Sequence, residues 1–197
     1  TAASFYKRSS NYYQMADRFK FPKDKRALNI YKESIKCFKN FAKLTDSPEL
    51  EVVNIPFEKK KKLPAYFVPA VGSKKTKSPV VVLYNGFDGT KEMSFHWAAD
   101  AFTRRGMNCL IVDSPGVGES IRFRDIYLRH DYEVAGSAAL DYLEKRSDVN
   151  SKKVAIVAPS LGGYYASRTA SMEKRFKACV AWGAIWDYYS TWKRRID

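Results

Sequence analysis

Val154-Ala155-Ile156-Val157-Ala158-Pro159-Ser160-Leu161-Gly162-Gly163-Tyr164 decides how this chain is read. A short apolar run enters a serine, small residues follow, and a helix-forming stretch begins. Runs of this length read as buried parallel strands. A strand that passes directly into Ser-x-Gly and a helix reads as a nucleophile elbow. The turn is tight, so its neighbours must be small. Gly162 lets the helix approach the strand, and Ala158 stands where the common pattern has glycine. Such a turn lifts the Ser160 hydroxyl to the carboxyl edge of the sheet and aims a helix N-terminus at it. The Leu161 amide then reads as one donor of an oxyanion hole. The competing reading is a plain strand-to-helix connection, and the order of the surrounding elements argues against it.

Working outward, three further apolar runs have the same character: Val80 to Tyr84, Met107 to Asp113 and Ala178 to Trp182. Helical segments at about Glu92–Arg105, Tyr132–Lys145 and Leu161–Glu173 separate the four runs, which predicts βαβ units and an α/β fold. Upstream, Val53, Ile55 and Phe57 alternate with polar residues, as do Leu63, Ala65 and Phe67, which predicts an antiparallel hairpin. Pro69 to Pro79 reads as a loop. The opening of the chain predicts two amphipathic helices. Phe5, Tyr12, Ala16 and Phe19 share a face of the first, and Phe21-Pro22 ends it. Leu28, Tyr31, Ile35, Phe38 and Phe41 recur along the second, and Ser47-Pro48 marks a boundary. The expected organisation is a helical segment over residues 1–47 and an α/β core over residues 48–197.

Composition narrows the function classes. The 197 residues suffice for one ordinary core, and an aromatic content of 15% argues against disorder. No stretch approaches the ~20 apolar residues of a membrane span, and Thr1 to Ser10 lacks the apolar core of a secretory signal. Cys37, Cys109 and Cys179 are far apart and odd in number, so they are expected as reduced core or near-core residues, which favours the cytoplasm. The net charge of +14 could suit nucleic acid or an anionic membrane, yet the cations are spread along the chain. The densest run, Lys59 to Lys62, reads as a solvated hairpin turn. Neither a nucleic-acid nor a membrane partner is expected.

Two loops join Ser160 at the carboxyl edge. Asn85-Gly86-Phe87-Asp88-Gly89-Thr90-Lys91-Glu92 follows the first parallel strand, where the other half of an oxyanion hole is built. Phe87 is read as the second amide donor, with Asp88 as the alternative. The Asp88 carboxylate is either part of a turn-forming Asp-Gly pair or a substrate-positioning or proton-donating group. Asp113-Ser114-Pro115-Gly116-Val117-Gly118-Glu119-Ser120 could suggest a phosphate cradle. The third glycine of a dinucleotide fingerprint is missing and no helix is expected directly after it, so a tight pocket-lining loop is the favoured reading.

These motifs carry a resemblance. Gly86 to Glu92, Asp113 to Glu119, Asp131-Tyr132-Glu133, Ser160 to Tyr165 and the opening Tyr12-Tyr13 with Ala16 resemble one group of α/β-hydrolases with an added N-terminal helical segment. The group includes bacterial 2,6-dihydroxypseudooxynicotine hydrolase and fungal polyketide-shortening hydrolases of pigment synthesis. The Gly-Phe-Asp-Gly form looks closer to the fungal branch. The resemblance implies the N-terminal part of an α/β-hydrolase fold and cleavage of a carbon–carbon bond next to a ketone, or of an ester. It implies Ser160 as nucleophile, Phe87 and Leu161 as the oxyanion hole, and Asp88 in the site. No metal or organic cofactor is implied. The expected partner is a small aromatic or polyketide-like substrate, with a homodimer through the N-terminal helices as a further expectation.

The triad order of this fold is serine, acid, histidine. His96 and His130 both precede Ser160, and Asp187 comes too early for the usual acid. His96 is expected as a packing or surface residue, and His130 as a polar helix-start residue rather than the base. The base and acid are therefore expected beyond Asp197, in a longer hydrolase or a second polypeptide. The alternative is a non-catalytic binding protein on a hydrolase scaffold.

Overall fold

A computed structural model of the chain describes residues 1–45, 49–72 and 77–196. The expected boundary at Ser47-Pro48 and the middle of the loop before the first parallel strand lie outside the described residues. The chain divides into two compact units, Thr1–Leu50 and Glu51–Asp197.

The first unit is a helix pair, α1 (Ala2–Phe19) and α2 (Lys25–Lys43). Thr1 and Ser4 form a reciprocal capping box on α1, and Asp24 caps α2 through the Ala27 amide at 2.9 Å. The apolar stripe of α2 is buried as its spacing predicts, at Tyr31, Ile35, Phe38 and Phe41. In α1 the expectation fails. Ser10, Gln14 and Asp17 are the buried residues, while Phe5, Tyr12, Ala16 and Phe19 are exposed. The reason is polar pairing. The Ser34 hydroxyl donates to the Ser10 carbonyl at 3.0 Å, and the two hydroxyls lie 3.3 Å apart, which turns this side of α1 toward α2.

The second unit is a mixed sheet that, among the described residues, runs in the order β1-β2-β4-β3-β5-β6. Its strands are β1 (Glu51–Phe57), β2 (Lys61–Val68), β3 (Ser78–Leu83), β4 (Asn108–Val112), β5 (Val149–Pro159) and β6 (Ala178–Trp182). β1 and β2 form the expected hairpin, with Lys59 and Lys60 exposed at its turn and Lys61 and Lys62 exposed at the start of β2. β2 also pairs antiparallel with β4, and because it is interior every residue from Leu63 to Val68 is buried, not alternate ones. β4, β3, β5 and β6 are parallel.

The helix between β3 and β4 comprises α3 (Lys91–Ser94), a π-helical segment (Phe95–Ala99) and α4 (Asp100–Thr103). A short α5 (Gly118–Phe123) begins inside the loop after β4. The sequence reading had no helix there. The positive φ of Gly118, +51°, starts the turn while Val117 is still extended. α6 (Glu133–Leu143) and α7 (Leu161–Met172) pack together, and Tyr132, just before α6, stacks on Tyr165 with ring centroids 3.6 Å apart. α8 (Tyr188–Ile196) follows β6. Among the described residues β6 stands at the edge of the sheet, and Cys179, Val180 and Trp182 are exposed there. Cys109, by contrast, is buried in β4. No helix among the described residues is long and apolar enough to cross a membrane.

This topology creates a crevice. β3 leads to β4 on one side, whereas its other neighbour, β5, leads to β6 on the opposite side. The loops after β3 and β5 therefore part at a switch point, where open α/β sheets place their sites.

Candidate active site

Ser160 sits at that switch point in a strained turn. Its φ is +56° and its ψ −131°, a conformation that costs a non-glycine residue about 1–3 kcal/mol. Elements on both sides enforce it. The Ser160 N–H donates to the Trp182 carbonyl at 2.8 Å, and the Ser160 carbonyl accepts from Gly163 at 2.8 Å. The side chain is exposed at the sheet edge. The small residues around it are sterically required. A Cβ on Gly162 would stand 2.6 Å from the Asn85 carbonyl oxygen and 3.0 Å from Ala158 Cβ, and one on Gly163 would stand 2.7 Å from Ala184 Cβ.

The loop after β3 packs directly on this turn. The Tyr84 N–H donates to the Val157 carbonyl at 3.1 Å, extending the strand pairing by one residue. The Ser94 hydroxyl then holds Asn85 Oδ1 at 2.6 Å. A Cβ on Gly86 would lie 3.1 Å from the Pro159 carbonyl oxygen, 3.2 Å from Ser160 Cβ and 3.6 Å from the Leu161 nitrogen. The peptide that leads into Phe87 therefore adjoins both the serine and the Leu161 amide. Leu161 opens α7, so its N–H has no acceptor within the helix. Ser160, Leu161 and the Phe87 segment are thus brought together. Phe87 and Asp88 are both exposed on the turn of the loop.

An aromatic row that the sequence reading missed extends from this point. The Phe87 ring meets Trp192 edge-on at 5.8 Å, Trp192 meets Tyr188 at 5.9 Å, and Tyr188 stacks on Tyr164 at 5.5 Å. A cleft of about 770 Å³ lies along α8 and Tyr164, with Trp186, Asp187, Tyr189, Lys193 and Ile196 completing its walls. Asp187 caps α8 by accepting from the Ser190 N–H at 3.0 Å and from its hydroxyl, which holds the carboxyl below its ordinary range. The signal was present as the four-residue step from Tyr188 to Trp192, but α8 is short and follows an irregular stretch.

The loop after β4 is buried. Asp113 turns its carboxylate under Gly118, where a Cβ would come within 2.3 Å of it. The space a phosphate cradle would need is filled by a carboxylate. His130 is exposed beside the Arg129–Asp131 ion pair, and the His96 ring packs edge-on to Phe95 at 5.5 Å.

Comparison with known proteins agrees with this architecture. The family described as "Esterase FrsA-like" matches residues 1–194. The chain belongs to the FrsA-like family. Hydrolase acrC of Aspergillus aculeatus is 31% identical over 212 residues, covering 99% of this chain and 49% of that protein. The 20-hydroxy-prefusarin hydrolase FUS2 of Gibberella moniliformis is 31% identical over 199 residues, covering 97% of this chain and 47% of that protein. The FrsA-like chain thus spans about half the length of these relatives. The crystal structure of 2,6-dihydroxy-pseudo-oxynicotine hydrolase superposes with a TM-score of 0.77 at 24% identity, covering 96% of this chain and 60% of that one. The partial α/β-hydrolase fold and the family resemblance expected from the motifs are both met.

Proposed function

We propose that this chain supplies the nucleophile and the oxyanion hole of a serine hydrolase. The reaction is cleavage of a carbon–carbon bond next to a ketone, or of an ester, in an aromatic or polyketide-like substrate. The observation that carries the reading is the left-handed backbone of Ser160 with Gly86 packed against its Cβ. Ser160 Oγ attacks the carbonyl carbon, and the new oxyanion is held by the Phe87 and Leu161 amides. The bond to the leaving group breaks with its electron pair, which leaves as an enolate or alkoxide and takes up a proton. Water then releases the acyl group from Ser160. Asp88, exposed beside Phe87, positions the substrate or donates that proton. The base belongs to the half of the family's length that this chain does not span. The aromatic cleft beside Phe87 suits a planar, conjugated substrate, in keeping with a relative named for hydrolysis of 20-hydroxy-prefusarin.

A fluorophosphonate probe tests the reading. In the full-length protein it is expected to label Ser160, and Ser160→Ala should abolish labelling. Equal labelling of the alanine variant sinks the assignment. Absence of labelling in the folded parent favours a non-catalytic binding protein on the same scaffold. Product analysis then separates ketone from ester cleavage.

A further inference from the structure

Below the loop that carries Phe87 lies a buried charge cluster that the chemistry at Ser160 does not use. Its centre is Lys91, whose side chain is 1% exposed. The ammonium lies 3.0 Å from each of three carboxylate oxygens: Glu92 Oε1, Asp113 Oδ2 and Glu119 Oε2. An ammonium has three N–H donors, one for each. The Lys91 backbone N–H adds a fourth tie, donating to Asp113 Oδ1 at 2.8 Å. Further groups hold the carboxylates. The Tyr66 hydroxyl donates to Glu92 Oε1 at 2.7 Å, the Glu119 N–H to Asp113 Oδ2 at 2.8 Å, and Arg124 to Glu119 Oε1 at 2.8 Å.

Stability alone is a poor reason for this arrangement. Each buried ion costs several kcal/mol of desolvation, of order, and well-packed apolar residues often serve as well. Burial pushes the Asp113 carboxyl above its ordinary range against the pull of Lys91. What an apolar cluster would not supply is a fixed register between segments. The cluster joins β2, the first turn of α3, the loop after β4 and α5 at a single ammonium. Lys91 is also the first residue after the Asn85–Thr90 loop, which has no helix or strand of its own. Asn85 is held at the other end by Ser94 and covered by Gly89, where a Cβ would come within 2.6 Å of Asn85 Oδ1. The loop is therefore fastened at both ends while Gly86 rests on the serine turn.

We propose that Lys91 is a positioning residue for the oxyanion hole: it clamps the loop's C-terminal end to Asp113 and Glu119 and so keeps the Phe87 N–H directed at the carbonyl attacked by Ser160. The proposal rests on the reading of Ser160 as nucleophile. Reaction with a fluorophosphonate uses the same hole, because the phosphoryl oxygen occupies it. Saturation kinetics divide that reaction into a binding constant and a maximal rate of covalent labelling.

The test uses the full-length protein, with Lys91→Met, which keeps an unbranched side chain one atom shorter and removes the charge, and Glu119→Gln, a milder change at the rim of the cluster. Lys91→Met is expected to lower the maximal labelling rate about tenfold to a hundredfold per folded molecule, with the binding constant within about twofold. Glu119→Gln should give a smaller drop of the same kind, about threefold, and decides the matter if Lys91→Met does not fold. A lower melting temperature with an unchanged labelling rate would make the cluster structural only and overturn the proposal. A parent that is folded yet never labelled overturns the nucleophile reading instead.

Discussion

The carbonyl oxygen of Asn85 lies so close to Gly162 that a Cβ on that glycine would stand 2.6 Å from it. The loop after β3 and the serine turn are thus in register through backbone atoms, which cannot swing aside as a side chain could. Gly162→Ala is expected to cost about 1–3 kcal/mol and to slow labelling of Ser160. Gly106→Ala is the control. Its Cβ meets nothing within 4 Å, but its φ is +79°. It should lose about 1–2 kcal/mol with labelling per folded molecule unchanged. Denaturant melts and probe kinetics on both variants check this.

Trp192 bridges the Phe87 ring and Tyr188 along the cleft. Removing it takes away two aromatic contacts without touching Ser160. Trp192→Ala should raise the half-saturation concentration for an aryl ester about threefold to tenfold and leave that for a small acetyl ester nearly unchanged. An equal change for both esters would mean that the row does not bind the substrate.

Arg146 ties the end of α6 to β1. Its guanidinium lies 3.6 Å from the centre of the Phe67 ring and pairs with Glu51 at 2.8 Å and Asp148 at 2.7 Å. Both carboxylates are partly exposed, so water screens much of the pairing. Arg146→Ala is expected to destabilise the fold by about 1–2 kcal/mol, more through lost packing on Phe67 than through charge. Raising the salt concentration should therefore remove little of the parent's advantage over the variant.

Acid should loosen the link between α6 and the end of α7 through Glu173. This carboxylate accepts from Arg175 at 2.8 Å and from the Ser137 hydroxyl at 2.7 Å. Arg175 first, then Ser137, lower it from its ordinary 4.5 to about 2. A carboxyl lowered on folding stabilises above its unfolded value and loses that contribution as pH falls through its folded value. The contribution is complete above about pH 5 and fades toward pH 2. Glu173→Gln should start less stable at neutral pH and lose less than the parent on acidification. Urea melts at several pH values read the difference.

Much of the fold was legible because hydrophobic periodicity reports burial. The hairpin at Val53–Phe67, the four parallel strands and the helices between them all follow from it. Sequence also singled out Ser160 and Leu161, because a tight turn demands small neighbours at fixed offsets, and Phe87 and Asp88, because their loop follows the first parallel strand and resembles the family's. It failed where polar partners decide. Phe5, Tyr12 and Phe19 are exposed, while Ser10, Gln14 and Asp17 are the buried residues of α1, with Ser10 bonded to Ser34 of α2. α5 was missed because it begins at Gly118, whose positive φ no periodicity reports and whose missing Cβ makes room for the Asp113 carboxylate.

The sequence by itself therefore determined the order of strands and helices and the serine turn at the end of β5. These depend on residues adjacent in the chain. Only the tertiary structure decided that β3 and β5 would be neighbours, so that Gly86 rests on Ser160. It also decided that Lys91 would meet Asp113 and Glu119 from loops about 20 or more residues away. Those meetings depend on strand order, which the burial pattern of parallel strands does not encode, because each is apolar on both faces whatever its place in the sheet.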